Sequence, residues 1–173
     1  MKTTLKLKAG LLLIMAFVFT SAVHAQDDKK PIASPRDSVS GTINGATITI
    51  NYGSPSVKGR KIWGELVPYK QVWRTGANEA TRFTTTKDIW VEGKKLPAGT
   101  YGFFAIPTEN SWTLIFNSVA NQWGAFKYDA TKDVLRVVVK VKPSTMHERL
   151  LYSIGSNSFS LAWEDLKVTA KVK

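Results

Sequence analysis

The chain contains no cysteine, and its two histidines stand at positions 24 and 147. Without thiols there is no disulfide, no thiolate nucleophile and no lipid attachment at a cysteine. Zinc sites draw on several His or Cys ligands. One histidine beyond position 25 cannot furnish a catalytic or structural zinc, so no metal and no other cofactor is expected. Any Ser-His-Asp arrangement must use His147, which stands in Pro143-Ser144-Thr145-Met146-His147-Glu148. That stretch reads as a polar turn ahead of a strand, and nothing marks a nucleophile for the histidine to activate. Glycine and lysine occur between Gly53 and Lys61, but not at the spacing that cradles phosphate. Long apolar runs are missing as well. The run Leu11-Leu12-Leu13-Ile14-Met15-Ala16-Phe17-Val18-Phe19 has roughly half of the about 20 residues that a membrane span requires.

What is there begins with that short run. Lys2, Lys6 and Lys8 precede it, and Val23-His24-Ala25 closes the segment before Gln26. A basic start, a short apolar centre and a small-residue cleavage site make residues 1–25 an expected signal peptide. The product is then exported, to the periplasm or the medium, with no transmembrane segment in the mature protein. The segment takes three lysines and no acid with it, so residues 26–173 keep +8 of the formal +11 charge. The remaining basic residues are scattered singly or in pairs along alternating positions, as on a solvated sheet face. No nucleic-acid partner is expected from that pattern.

Residues 26–37 are charged and punctuated by proline, and read as an extended N-terminal arm. Residues 38–173 suit one domain with one core. Within them apolar and polar residues alternate in short runs: 39–43, 46–52, 81–86, 89–92, 100–106, 112–117, 134–141, 150–154, 159–163 and 168–172. Asn44-Gly45 between the first two marks a two-residue hairpin turn. About ten such strands with turn residues between them predict an all-β, antiparallel β-sandwich, jelly-roll-like. One short helix or turn is expected near residues 119–124. Among the tryptophans, Trp112 and Trp163 share faces with apolar partners and belong to the core, whereas Trp90 faces outward. Trp63, Trp73 and Trp123 lie in loops, where they stack on ligands or plug the open ends of a sandwich.

One segment breaks the pattern. Residues 53–79 form a long connection, and long ordered connections in compact domains tend to carry function. Its large aromatics argue for order. Arg74 offers a planar fork suited to carboxylate or phosphate. Asn78 adds an amide, Glu79 a carboxylate, and Gly76 a sharp turn. With Arg60 and Trp73, these residues are the candidate ligand-binding set. In the alternative arrangement Arg74 and Glu79 pair with each other or cap loop carbonyls, and so brace the loop against the sandwich.

From Ala33-Ser34-Pro35-Arg36 onward the sequence resembles the bacterial family called domain of unknown function 2911. The resemblance rests on Tyr52-Gly53-Ser54-Pro55, Lys58-Gly59-Arg60, Pro68-Tyr69 and, above all, Val72-Trp73-Arg74-Thr75-Gly76-Ala77-Asn78-Glu79-Ala80. Gly93-Lys94-Lys95-Leu96-Pro97-Ala98-Gly99-Thr100-Tyr101, Ile106-Pro107, Trp112, Trp123-Gly124 and Tyr128-Asp129 continue it. It implies a secreted or periplasmic domain and brings no activity, cofactor or catalytic residue.

Three functions fit these readings. The first is an exported binding module for a glycan, peptide or small anion, using the 53–79 loop. The second is a hydrolase of an envelope or extracellular polymer, whose paired carboxylates would come from Glu65, Glu79, Asp129 or Glu164. The third is a structural or partner-interaction protein of the cell envelope. The catalytic residues of the second are not identified by the sequence.

Overall fold

The computed structural model describes residues 33–173; the expected signal segment 1–25 and the first part of the arm lie outside the described residues. Strand β1 (Arg36–Ile43) opens the fold and β2 (Ala46–Gly53) returns beside it. Asn44 and Gly45 join them with φ of 49° and 76°. Positive φ at both central positions matches the turn to the twist of the strands. Ile48, Ile50 and Tyr52 are buried on one face of β2, as the alternation of that segment requires.

The sheet grows by neighbours in chain order. β3 (Thr81–Thr85) pairs with β2, β6 (Gly99–Pro107) with β3, and β7 (Ser111–Asn117) with β6. β8 (Asp133–Ile154) and β9 (Ser158–Lys171) complete it. Only β4 (Ile89–Val91) and β5 (Lys94–Leu96) stand apart, as a small hairpin of their own. All the pairings between these strands are antiparallel, so the all-β antiparallel architecture is the one expected. Its form is a single seven-stranded sheet, curled until it is nearly a closed barrel.

The curl comes from β8. Its first half pairs with β7 and its second half with β9, with register shifts on either side of His147. The sequence divides this strand in two because residues 142–149 are polar and contain Pro143. The backbone nevertheless stays extended, and Pro143, which has no N–H to donate, sits where the ladder is interrupted. His147 therefore lies within a strand, opposite Glu164, and not in a turn. β9 likewise joins two expected strands, with Glu164 at φ 55° between them. A turn begins at Gly124, φ 65°, at the end of the expected 119–124 stretch, and the one short helical element among the described residues falls later, at Ala130–Lys132, capped by the Asp129 side chain.

Closure follows from the far half of β8. Leu150 N–H donates to Pro55 O (2.9 Å), and Val57 N–H to Glu148 O (2.8 Å). The start of the long connection is thus laid along β8, and Ile154 comes up against Gly41 of β1. Inside the curl, Phe83, Phe103, Phe116 and Phe159 pack with Ile48, Ile50, Leu114 and Leu161. Val57, Ile62, Trp63, Val67 and Trp73 from the connection complete the same core. Residues 53–79 are therefore a packed part of the fold.

Candidate functional site

The site is built by tight backbone turns. Lys58 and Gly59 take φ of 49° and 65°, so that Arg60 N–H reaches back to Val57 O (3.1 Å). The Arg60 side chain is held by the same turn. Its Nε donates to Val57 O (3.0 Å) and its Nη2 to Ser56 O (2.5 Å). Further on, Trp73 exchanges both backbone hydrogen bonds with Ala105 of β6, at 2.8 and 2.9 Å. That pairing fixes where the next residues begin.

Thr75 and Asn78 then adopt φ of 51° and 64°. For a β-branched residue this is an outlier that the surroundings must hold in place. They do so through hydrogen bonds. The Thr75 hydroxyl donates to Phe103 O (2.9 Å), while Thr75 O accepts from Tyr152 OH (2.8 Å) and from Thr81 Oγ1 (3.1 Å). Tyr152 stacks edge-on against Tyr52, which donates to Asp37 Oδ2 (2.8 Å). Between the strained residues the chain runs against the end of β2. A side chain at Gly53 would put its Cβ 2.2 Å from Ala77 O, so only glycine permits the contact.

The result is a pocket of about 230 Å³ that brings together Arg60, Trp73, Arg74 and Asn78, with Trp163 and Ser34 beside them. Four of the five residues singled out from the sequence line this one pocket. Glu79 lines a neighbouring cleft with Arg36 and Arg82, and Arg36 Nη1 lies 3.3 Å from its Oε2. The alternative pairing of Arg74 with Glu79 is therefore not formed. Glu65 is engaged elsewhere, 3.1 Å from Lys61.

Arg74 is the unusual member. It is half-buried, its Nε is buried with no hydrogen-bond acceptor, and it forms no ion pair among the described residues. Burial pushes its guanidinium below the ordinary arginine value, and no neighbouring carboxylate opposes this. The Trp163 indole Nε1 is also buried without an acceptor. So is that of Trp63, whose ring packs 5.8 Å from Trp73 and 5.9 Å from Trp163. Asn78 Nδ2 is committed to Ser34 O (3.2 Å). The lining holds two guanidinium groups and no carboxylate. Buried polar groups in native proteins almost always find partners, and the groups lacking one here are donors.

The family called protein of unknown function (DUF2911) matches residues 34–172. The chain belongs to that family. No curated protein and no solved structure matches it. The DUF2911 match covers every strand described above and the whole of the 53–79 connection.

Two parts of the surroundings escape a reading of the sequence. Trp163 enters the pocket from β9, which its alternation marks only as core. Thr75, Thr81 and Tyr152 support the loop from below, and only the folded chain brings them together. Ser144 Oγ and His147 Nε2 lie 3.2 Å apart on one strand. The imidazole makes no contact with a carboxylate among the described residues that would orient it for nucleophilic catalysis.

Proposed function

We infer that residues 1–25 direct export and that the β-domain which follows is a binding protein for a small anionic group. The observation that carries this reading is Arg74, half-buried, with its Nε unpartnered and no counter-charge among the described residues, in a pocket whose lining includes a second arginine and no acid. Removing a charge from water is costly unless an opposite charge or strong hydrogen bonds compensate. A carboxylate, phosphate or sulfate would offset that cost, since Arg presents a planar fork of donors to such oxyanions. The pocket volume of about 230 Å³ lies below the range of roughly 300–1,000 Å³ usual for drug-sized ligands. It suits a small anion, or the anionic end of a peptide or sugar. Backbone strain at Thr75 and Asn78 accords with the same use, because such strain gathers at sites that must be preorganised.

The test is a fluorescence titration of the purified protein with phosphate, sulfate and citrate at low ionic strength. Trp73 and Trp163 line the pocket and supply the signal. At least one of the three anions is expected to saturate. Arg74→Met should weaken its binding about tenfold or more, since hydrogen bonds to charged groups are worth about 1.5–3 kcal/mol. A protein whose fluorescence responds saturably to none of the three would refute the reading.

A further inference from the structure

The loop between β7 and β8 carries large apolar side chains that the fold leaves outside. Trp123 is 61% exposed and Phe126 is 86% exposed, with Val119 exposed beside them. The loop is nevertheless firmly tied. Asn117 is buried, donating to Asp129 O (2.9 Å) and Asp133 Oδ1 (2.8 Å) and accepting from Val119 N–H (2.9 Å). Gly124 N–H donates to Asn78 O (3.0 Å), and Ala80 N–H to Gln122 O (2.9 Å). The Tyr128 ring packs on Phe104 at 5.2 Å. Aromatic exposure on a braced loop marks a contact surface.

Trp123 and Phe126 line a cleft of about 430 Å³ with Val119, Asn121, Gln122 and Lys127. Asn121 and Gln122 also line the adjoining cleft of about 320 Å³ that holds Arg82 and the Arg36–Glu79 pair. The shared wall is polar and incompletely satisfied. Gln122 Nε2 donates to Val119 O (3.1 Å), but its Oε1 is buried with no donor. Asn121 Oδ1 receives only a long contact from Arg82 Nη1 (3.4 Å). Arg82 and Lys127 form no ion pair among the described residues, and the one carboxylate in the pair of clefts is matched by Arg36.

Flat aromatic faces, two amides with bonding capacity to spare and two uncompensated cations meet here along a concave surface. A lipid bilayer would need a projecting tip, and an apolar peptide side chain would leave the amides unmatched. We propose that the joined clefts bind an acidic oligosaccharide. Sugar C–H faces lie against Trp123 and Phe126, hydroxyls exchange hydrogen bonds with Asn121 and Gln122, and a ring carboxylate meets Arg82 and Lys127. This site uses none of the residues that line the Arg74 pocket.

The purified protein is titrated with hexagalacturonate, hexamannuronate and neutral maltohexaose, with the indole N–H resonances followed by NMR. The Trp123 resonance is assigned by its loss in Trp123→Ala. At least one acidic hexamer should saturate and shift that resonance, with maltohexaose at least tenfold weaker. Trp123→Ala, Phe126→Ala and Arg82→Met should each weaken the acidic hexamer about tenfold, while Arg74→Met leaves it within twofold. The aromatic rings are exposed, so unchanged melting of their variants certifies the fold. Saturation by neither acidic hexamer overturns the proposal, as does equal affinity for maltohexaose. Loss of binding in Arg74→Met with none in Trp123→Ala would also overturn it.

Discussion

Two aromatic clusters share one core and differ in a single chemical respect. Phe83, Phe103, Phe116 and Phe159 come entirely from strands β3, β6, β7 and β9, with ring centroids 5.0–6.4 Å apart. Trp63, Trp73, Trp112 and Trp163 pack at 4.9–6.1 Å, two of them supplied by the 53–79 connection. The phenylalanine cluster has no polar atom and needs nothing more. The tryptophan cluster leaves the Nε1 atoms of Trp63, Trp112 and Trp163 without acceptors, and Arg74 Nε is in the same condition. One cluster stabilises the fold by apolar burial alone. The other fills similar space while carrying indole donors that the fold leaves without acceptors, and two of its members, Trp73 and Trp163, also line the pocket beside Arg74.

Breaking the phenylalanine cluster should have the largest effect. Phe83 is fully buried among the other three rings. Phe83→Ala is expected to cost about 3–5 kcal/mol. At roughly 2–4 °C per kcal/mol, thermal melting should fall by roughly 6–20 °C.

A smaller effect is expected at high pH, through three hydrogen-bonded tyrosines, Tyr52, Tyr128 and Tyr152. Burial first, and the hydrogen bond to Asp37 second, push Tyr52 up to about 12. Burial, reinforced by the hydrogen bond to Asp133, pushes Tyr128 up to about 12 as well. Burial raises Tyr152, which packs between Tyr52 and Phe103. In the unfolded chain these groups ionise near about 10. Their contribution is fully present below that value and is lost as pH rises from about 10 through about 12. Melting measured across that window should fall steeply, and Tyr52→Phe should flatten the slope.

The smallest loss is expected at the surface beside the pocket. The Arg36 and Glu79 side chains are 40% and 52% exposed. Exposed pairs of this kind contribute at most about 1 kcal/mol. Glu79→Gln should therefore move the melting midpoint by only a few degrees, separating a rim pair from the buried donors behind it.

Much of this was legible in the residues themselves. Alternation located the strands, Asn44-Gly45 the first turn, and the loop composition of 53–79 the pocket. What local pattern misread was the length of β8. A polar run with a proline looks like a turn when its ladder to β9 is broken by register shifts and its other partners, residues 55–57, are far away in sequence. Trp123 reads like Trp63 and Trp73 for the same reason. All three stand in loops, but only the latter two find an interior to enter. The partner of Glu79 was equally hidden, since Arg36 lies 43 positions away.

The most direct test of the account is the melting midpoint of Arg74→Met. The substitution keeps the apolar stem and removes the guanidinium. An arginine kept for a ligand, without a protein counter-charge, costs the unliganded fold stability. The midpoint is therefore expected to stay unchanged or to rise. A fall above about 10 °C, the size expected on losing one partner of a buried pair, would make Arg74 a structural brace and contradict the account.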